Sequence, residues 1–205
     1  MNRTVYYNDM KQLARDTREK YGFATPRVLK SDLRKVYKDQ GIHIDLWAHK
    51  MREVRGAYFN DELGATVMLV KGLPDDPTIF TMSHELKHHL VDRDLPIACC
   101  SDRNINEHIE IGAEIFAAEF IYPEQDFVDH LTSRGVAAGT CTAESLVHLK
   151  HDTRTTLSYA GLAKRATFLG LAKPGSLARV AWKKLEEQIF GVPIYKRFSH
   201  RGRSH

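Results

Sequence analysis

Apolar residues recur at regular spacings along the chain and divide it into predicted helices and strands. A spacing of three and four residues predicts helices over residues 8–21, 26–40, 77–90, 106–123, 142–150 and 158–169. Alternation of apolar and polar residues predicts three strands over residues 42–46, 57–60 and 65–70, and the polar residues 61–64 join the last two as a hairpin. We therefore expect an α+β fold that is mainly helical and contains a small three-stranded sheet.

Composition divides the chain into a folded body and a basic tail. We expect a core over residues 1–135, a helical unit over residues 136–194 packed on it, and a flexible tail over residues 195–205. A polar linker is predicted from Pro123 to Gly139. The tail carries four basic residues and no acid, which equals the net charge of +4 and leaves 26 basic against 26 acidic residues in the body. A neutral body argues against a nucleic-acid-binding surface.

The helix predicted over residues 77–90 carries the pattern His-Glu-x-x-His. His84 and His88 are four residues apart and therefore lie one turn apart on the same helix face. Two imidazoles in this arrangement can share one divalent cation, and zinc is the cation that usually occupies such sites. Glu85 is rotated by about 100° from His84, so it lies beside the metal and can take a proton from metal-bound water. The pattern predicts a hydrolytic metalloprotease.

A catalytic zinc ion needs a third protein ligand and an open fourth position. The helix predicted over residues 106–123 offers several glutamates, of which we favour Glu110 because isoleucines flank it and an Ala/Gly-rich stretch follows it. Glu107 and Glu114 remain the alternatives. If Glu110 binds the metal, Glu114 lies one turn further on the same face and can orient a ligand histidine through a hydrogen bond.

These two segments resemble the ImmA/IrrE family of metallo-endopeptidases. In that family a short β-hairpin precedes the His-Glu-x-x-His helix, and a second helix carries Glu-x-x-Ala-Asn-x-Phe-Ala-Ala-Glu followed by an apolar pair and Met-Pro. The matching run here extends from Glu110 to Pro123, with Glu114 at the usual Asn or Asp and Tyr122 at the usual Met. Lys87 replaces a common glycine, and we expect it to be a surface residue of little consequence. The resemblance covers roughly residues 36–171.

The resemblance implies a zincin-like metallopeptidase core with one Zn²⁺ per chain. It implies His84, His88 and Glu110 as metal ligands and Glu85 as the catalytic base. Characterised members cleave a helix-turn-helix repressor encoded nearby and so act as anti-repressors for mobile-element or stress-response genes. A repressor of this kind is the implied protein substrate, bound in extended form along an edge strand. The alternatives are a regulator of the same fold that binds its partner without cleaving it, or a toxin–antitoxin component.

Residues 158–171 resemble the C-terminal helix-turn-helix-like segment of the same family. A helix pair of this kind can read DNA, but we favour a structural or substrate-docking role, and direct DNA binding is not expected. The residues that can stabilise the oxyanion of the tetrahedral intermediate are Tyr159, His148, His151 and Arg154. The sequence does not choose among them.

The other histidines and the cysteines are assigned roles outside the metal centre. We expect His43 to be a half-exposed strand residue, and His89 and His108 to be surface groups that flank the site. Cys99 and Cys100 lie on the loop between the two metal-binding helices, where we expect small buried or half-buried residues and not a redox switch or a competing metal ligand.

Cysteine content and hydropathy bear on the location of the protein. Three cysteines do not form a disulfide framework. No apolar run approaches the roughly 20 residues of a membrane span, and the N-terminus lacks a secretory pattern. We therefore expect a cytoplasmic protein with no membrane association.

Overall fold

The computed structural model describes residues 2–48, 55–93, 98–99 and 107–193. The helices in these ranges are α1 (Arg3–Lys20), α2 (Lys30–Asp39), α3 (Asp75–Val91), α4 (Glu107–Ile121), α5 (Glu124–Thr132), α6 (Ala143–Thr153), α7 (Tyr159–Phe168) and α8 (Trp182–Phe190). The strands are β1 (His43–Trp47), β2 (Gly56–Asp61), β3 (Gly64–Val70) and β4 (Ala98–Cys99). The fold is α+β and mainly helical with one small sheet, which confirms the predicted class.

The strands form a single mixed sheet in the order β1-β3-β2-β4. β1 runs parallel to β3, and β2 and β3 form an antiparallel hairpin closed by a two-residue turn. The three predicted strands are present, and β4 adds a fourth by pairing Cys99 with Ala57. The prediction of a loop at Cys99 is therefore wrong, because a two-residue strand is too short to show alternation. Cys100 lies outside the described residues.

Helix α3 is the central element of the first half of the chain. It packs against the sheet and against α2 and α4. Ile79, Met82 and Leu86 are almost fully buried, as their helical spacing predicts, and the residues from 81 to 89 are all buried as well. The Tyr37 hydroxyl donates to the Met82 carbonyl at 2.7 Å and joins α2 to α3. A helix covered on every side holds its side chains rigidly, which favours an accurately placed site.

The N-terminal helix α1 packs along α4. Arg15 pairs with the buried carboxylate of Glu119 at 3.0 Å, and Lys11 pairs with Glu124 at 2.5 Å. The buried guanidinium of Arg18 donates to the Phe120 carbonyl at 2.6 Å, where α4 ends. The contacts of Arg15 and Arg18 hold the C-terminal half of α4 against α1, and the pair of Lys11 with Glu124 joins α1 to the first residue of α5.

The chain divides into two compact units, Met1–Phe127 with Thr153–Ser158 and Val128–Asp152 with Tyr159–His205. The first unit contains the sheet and helices α1 to α4. In the second, the backbone N–H of Cys141 donates to the Leu171 carbonyl at 2.8 Å and brings the start of α6 near the end of α7. The predicted domain boundary at residue 135 stays a prediction.

Two helices lie where none was predicted. Helix α5 replaces the predicted polar linker, and its Phe127 and Leu131 are fully buried. These two residues are spaced by four, but the acidic first turn hid the pattern. Helix α8 follows a turn-rich stretch and has no buried residue. The predicted tail over residues 195–205 lies outside the described residues.

Within the described ranges, no helix has both the length and the apolar character needed to cross a membrane.

Candidate active site

Helices α3 and α4 bring three potential metal ligands together. The Nε2 atoms of His84 and His88 are 3.2 Å apart. The carboxylate of Glu110 lies 3.2 Å from His84 Nε2 and 3.6 Å from His88 Nε2. One ligand atom from each residue falls within 4.8 Å of the others, so the three atoms surround one point. The side chains of Glu107 and Glu114, the other two candidates for the third ligand, are exposed.

The donor set fits one divalent cation. Two imidazole nitrogens and one carboxylate oxygen are the ligand combination of a catalytic zinc site with an open fourth position. The two imidazoles are buried and Glu110 is partly buried, so two nitrogens and an oxygen with lone pairs converge in a region shielded from solvent. Hydrogen bonds link His84 to Glu110 and the two imidazoles to each other. A divalent cation bound by the same three atoms would take the place of the protons that they share.

The electrostatics of Glu110 favour its ionised form. Burial by itself raises the pKa of a carboxyl group, but the hydrogen bond with His84 and the electrostatic influence of His88, His84 and Lys87 outweigh it. The pKa of Glu110 is therefore lowered from its ordinary value. The carboxylate is in the form that binds a cation at neutral pH.

Glu85 lies next to His84 on α3, and its side chain is fully buried. A Cβ atom on Gly56 would stand 3.1 Å from Glu85 Oε1 and 2.4 Å from Thr81 Cγ2. The absence of a side chain at Gly56 therefore lets the first residue of β2 approach α3 at the Glu85 carboxylate. Close approach of a strand backbone is one of the positions where only glycine fits.

Replacing Gly56 with alanine is expected to lower the free energy of unfolding by about 1–3 kcal/mol, because the added methyl group overpacks the contact with Thr81. Urea unfolding of the variant measures this loss. Adding Thr81→Ser removes the Cγ2 atom that the new methyl group meets, so the double variant is expected to regain most of the stability. Equal stability of Gly56→Ala and wild type would contradict the predicted contact.

Asp92 orients His88 and was missed by sequence reasoning. His88 Nδ1 lies 2.7 Å from Asp92 Oδ2, so an N–H at Nδ1 donates to the carboxylate and leaves the Nε2 lone pair facing Glu110. Burial opposes ionisation of Asp92, but hydrogen bonds from His88 and Lys87 lower its pKa below the ordinary value. Its spacing of four from His88 was the signal available. Glu114, for which an orienting role was predicted, has an exposed side chain, and that role stays a prediction.

Lys87 and His89 are buried, and the prediction that they lie on the surface is wrong. Lys87 is fully buried and donates to Asp92 at 2.5 Å. His89 Nδ1 lies 3.1 Å from the Tyr58 hydroxyl, and the Arg93 guanidinium contacts His89. Burial, followed by the charge of Arg93, lowers the pKa of His89 to about 4. The surface prediction failed because α3 has no solvent-facing side over these residues.

The other two histidines considered, His43 and His108, are not part of the cluster of His84, His88 and Glu110. His43 is exposed on β1, where a half-exposed strand residue was predicted. His108 is half-buried on α4, and its ring lies edge-on to Tyr6 with the ring centres 5.9 Å apart.

The candidates for oxyanion stabilisation are placed as follows. His148 and His151 lie on α6 in the second unit, where both rings contact Phe190. Tyr159, also in the second unit, stacks on Trp182 with ring centres 5.1 Å apart. Arg154 belongs to the first unit, is exposed, and adopts a left-handed backbone conformation with φ of 52°. Their role in stabilising an oxyanion stays a prediction.

Two histidines one turn apart and a carboxylate from a second helix form a cluster that could hold a metal ion, with a glutamate beside the first histidine. A metal-dependent peptidase needs an arrangement of this kind. Residues 38–137 match the model of the Peptidase M78 family, described as the IrrE N-terminal-like domain. This match covers just under half of the chain and confirms the predicted resemblance to the ImmA/IrrE family. The matched range contains His84, Glu85, His88 and Glu110. A search of curated proteins found no match to the chain.

Proposed function

We propose that the protein is a zinc-dependent metallo-endopeptidase that hydrolyses a peptide bond in a helix-turn-helix transcriptional repressor. The observation that carries the proposal is the convergence of His84, His88 and Glu110 on one point, with ligand atoms within 4.8 Å, beside the buried Glu85. The match of residues 38–137 to a peptidase family model supports peptidase chemistry. The two-nitrogen, one-oxygen donor set supports zinc as the metal.

In the proposed reaction, three residues bind the metal ion and a fourth transfers the proton. A divalent ion held by His84, His88 and Glu110 supplies Lewis acidity to the attacking water and the scissile carbonyl. Glu85 accepts a proton from the water while the water oxygen attacks the carbonyl carbon. Glu85 then returns that proton to the leaving nitrogen as the C–N bond breaks. The Glu85 side chain is fully buried, which shields its carboxylate from bulk solvent.

The choice of substrate rests on the resemblance to repressor-cleaving endopeptidases and on the charge of the chain. A body of equal basic and acidic content is unsuited to holding the DNA itself, so a protein partner is the better substrate. An extended, locally unfolded segment of the repressor can add to an edge of the sheet through backbone hydrogen bonds, which give affinity with little sequence demand. A repressor substrate also implies action in the cytoplasm.

The test measures both the zinc content of the protein and its cleavage of the repressor. The purified chain is expected to hold about one zinc ion per molecule, measured by elemental analysis. Glu110→Ala removes the third ligand and is expected to hold much less zinc under the same dialysis conditions. Incubation of the zinc-loaded wild type with the repressor encoded next to its gene is expected to give two fragments, whose masses locate the cleaved bond. Glu62→Gln, an exposed glutamate on the β2–β3 turn, serves as the control.

Each outcome bears on a different part of the proposal. A wild-type chain that takes up no divalent metal contradicts the site itself. A zinc-loaded chain that binds the repressor and leaves it intact favours a non-cleaving regulator of the same fold.

A further inference from the structure

A buried lysine shares the carboxylate of Asp92 with His88. Lys87 Nζ donates to Asp92 Oδ2 at 2.5 Å and to the Ile109 carbonyl at 3.3 Å. The same Asp92 oxygen lies 2.7 Å from His88 Nδ1. One carboxylate oxygen is therefore shared between a buried ammonium group and a metal-binding imidazole. The lysine side chain has no exposed surface, so this pair is not an ordinary surface ion pair.

The N-terminal helix α1 also contacts Lys87. The ring of Tyr6 on α1 lies with its centre 5.6 Å from Lys87 Nζ, within the range of a cation–π contact. The ring fits against α4 because position 112 is a glycine. A Cβ atom on Gly112 would stand 2.6 to 2.9 Å from atoms of the Tyr6 phenol. Three helices thus surround Lys87, and one of them, α1, lies outside the range matched by the family model.

The position of Asp92 explains why a cation is needed there. Asp92 follows the last residue of α3 and serves as its C-cap. The C-terminal end of a helix carries partial negative charge and disfavours an anion. A carboxylate at this place tends to turn outward to solvent unless a positive group holds it. Lys87, about one turn earlier on the same helix, supplies that group.

We propose that Lys87 is a positioning residue for the metal centre: it holds the Asp92 carboxylate against His88, and Asp92 in turn fixes the His88 ring with its Nε2 atom toward Glu110. The proposal rests on the metal site of the proposed function and is independent of the substrate. A purely structural Lys87, joining α3 to α4 through Ile109, would change stability without changing metal affinity.

The test measures zinc affinity in three variants. Lys87→Met keeps the apolar stem and removes the ammonium group, and Asp92→Asn removes the carboxylate charge. Lys30→Met is the matched control. Lys30, on α2, forms an exposed ion pair at 2.7 Å with Asp75, which begins α3, the helix that carries Lys87. Zinc affinity is obtained by competition with a chromogenic chelator. The absorption spectrum of the cobalt-substituted protein reports ligand geometry, and the melting temperature of the metal-free protein reports stability.

We expect Lys87→Met and Asp92→Asn each to weaken zinc binding by about 10- to 100-fold and to alter the cobalt spectrum. The double variant is expected to have the same zinc affinity as the single variant that binds zinc less tightly, because both changes act on one contact. Lys30→Met is expected to bind zinc as the wild type does. Wild-type zinc affinity in Lys87→Met, with only a lower melting temperature, overturns the proposal. If Lys87→Met does not fold, wild-type affinity in Asp92→Asn overturns it equally.

The wild type separates failure of this proposal from failure of the proposed function. A wild-type chain without zinc affinity contradicts the metallopeptidase itself. A wild type that binds zinc, together with variants that bind it equally well, contradicts the role of Lys87 alone.

Discussion

Glutamine at position 85 is expected to lower the rate of repressor cleavage by about 100- to 10,000-fold while zinc content stays at the wild-type level. The two side chains have nearly the same shape, which matters because Glu85 has no exposed surface and a larger change would disturb α3. An amide cannot accept the proton that hydrolysis releases from water, so the loss falls on turnover. Cleavage rates at saturating repressor concentration and elemental zinc analysis check the two halves of this prediction.

Glu19→Gln, an exposed glutamate on α1, is the control and is expected to leave both quantities unchanged. Turnover near the wild-type rate in Glu85→Gln would show that another group accepts the proton. Loss of zinc in that variant would show that Glu85 contributes to metal binding, contrary to its predicted place beside the ion. Neither result would affect the prediction that Glu110→Ala loses zinc.

The site was predictable where its geometry is local to one helix. The spacing of His84 and His88 sets their relation within a single turn, and the structure shows their Nε2 atoms 3.2 Å apart. Glu110 was favoured over two neighbouring glutamates from the apolar character of the surrounding residues, and the structure places it with the histidines. Local periodicity and the composition of one helix face carried both inferences.

Lys87 and Asp92 show why the rest of the site escaped prediction. Whether a lysine on a helix is exposed depends on what covers it, and here the covering groups come from α1 and α4. Those contacts bring together residues far apart in sequence, which no local pattern records. Asp92 lies beyond the last residue of α3, where a capping aspartate and a histidine partner look alike in sequence.

The elements of the fold that a long local pattern defines were also predicted, and those that depend on tertiary contacts were missed. Long periodic segments were predicted to within a few residues, including α4 and the β2–β3 hairpin. Strand β4 was missed because its two residues are held only by pairing with β2. Helix α5 was missed because three polar residues in its first turn conceal the buried Phe127 and Leu131. In both cases tertiary contacts outweighed the local signal.

Replacement of Arg18 by methionine is expected to lower the free energy of unfolding by about 3–5 kcal/mol. The guanidinium of Arg18 is buried and donates to four backbone carbonyls, those of Phe120, Ile121, Phe23 and Thr25, at 2.6, 3.4, 2.9 and 3.0 Å. Two of these carbonyls belong to the end of α4, where helix geometry leaves them without intrahelical donors. Methionine fills a similar volume but donates no hydrogen bond, so all four carbonyls lose this donor. The contacts with Phe120 and Ile121 are buried, and the loss there is the most costly.

Urea unfolding of the metal-free protein, followed by circular dichroism, measures the loss. Lys20→Met is the matched control on the same helix, because its pair with Asp39 at 3.7 Å is exposed and screened by solvent, so its loss is expected to change stability little. Arg18→Lys is expected to fall between the two, since a single ammonium group keeps the charge but cannot reach carbonyls on both sides. A loss below about 1 kcal/mol in Arg18→Met would mean that other donors reach these carbonyls. The attachment of α1 to α4 would then rest on apolar packing and not on this buried cation.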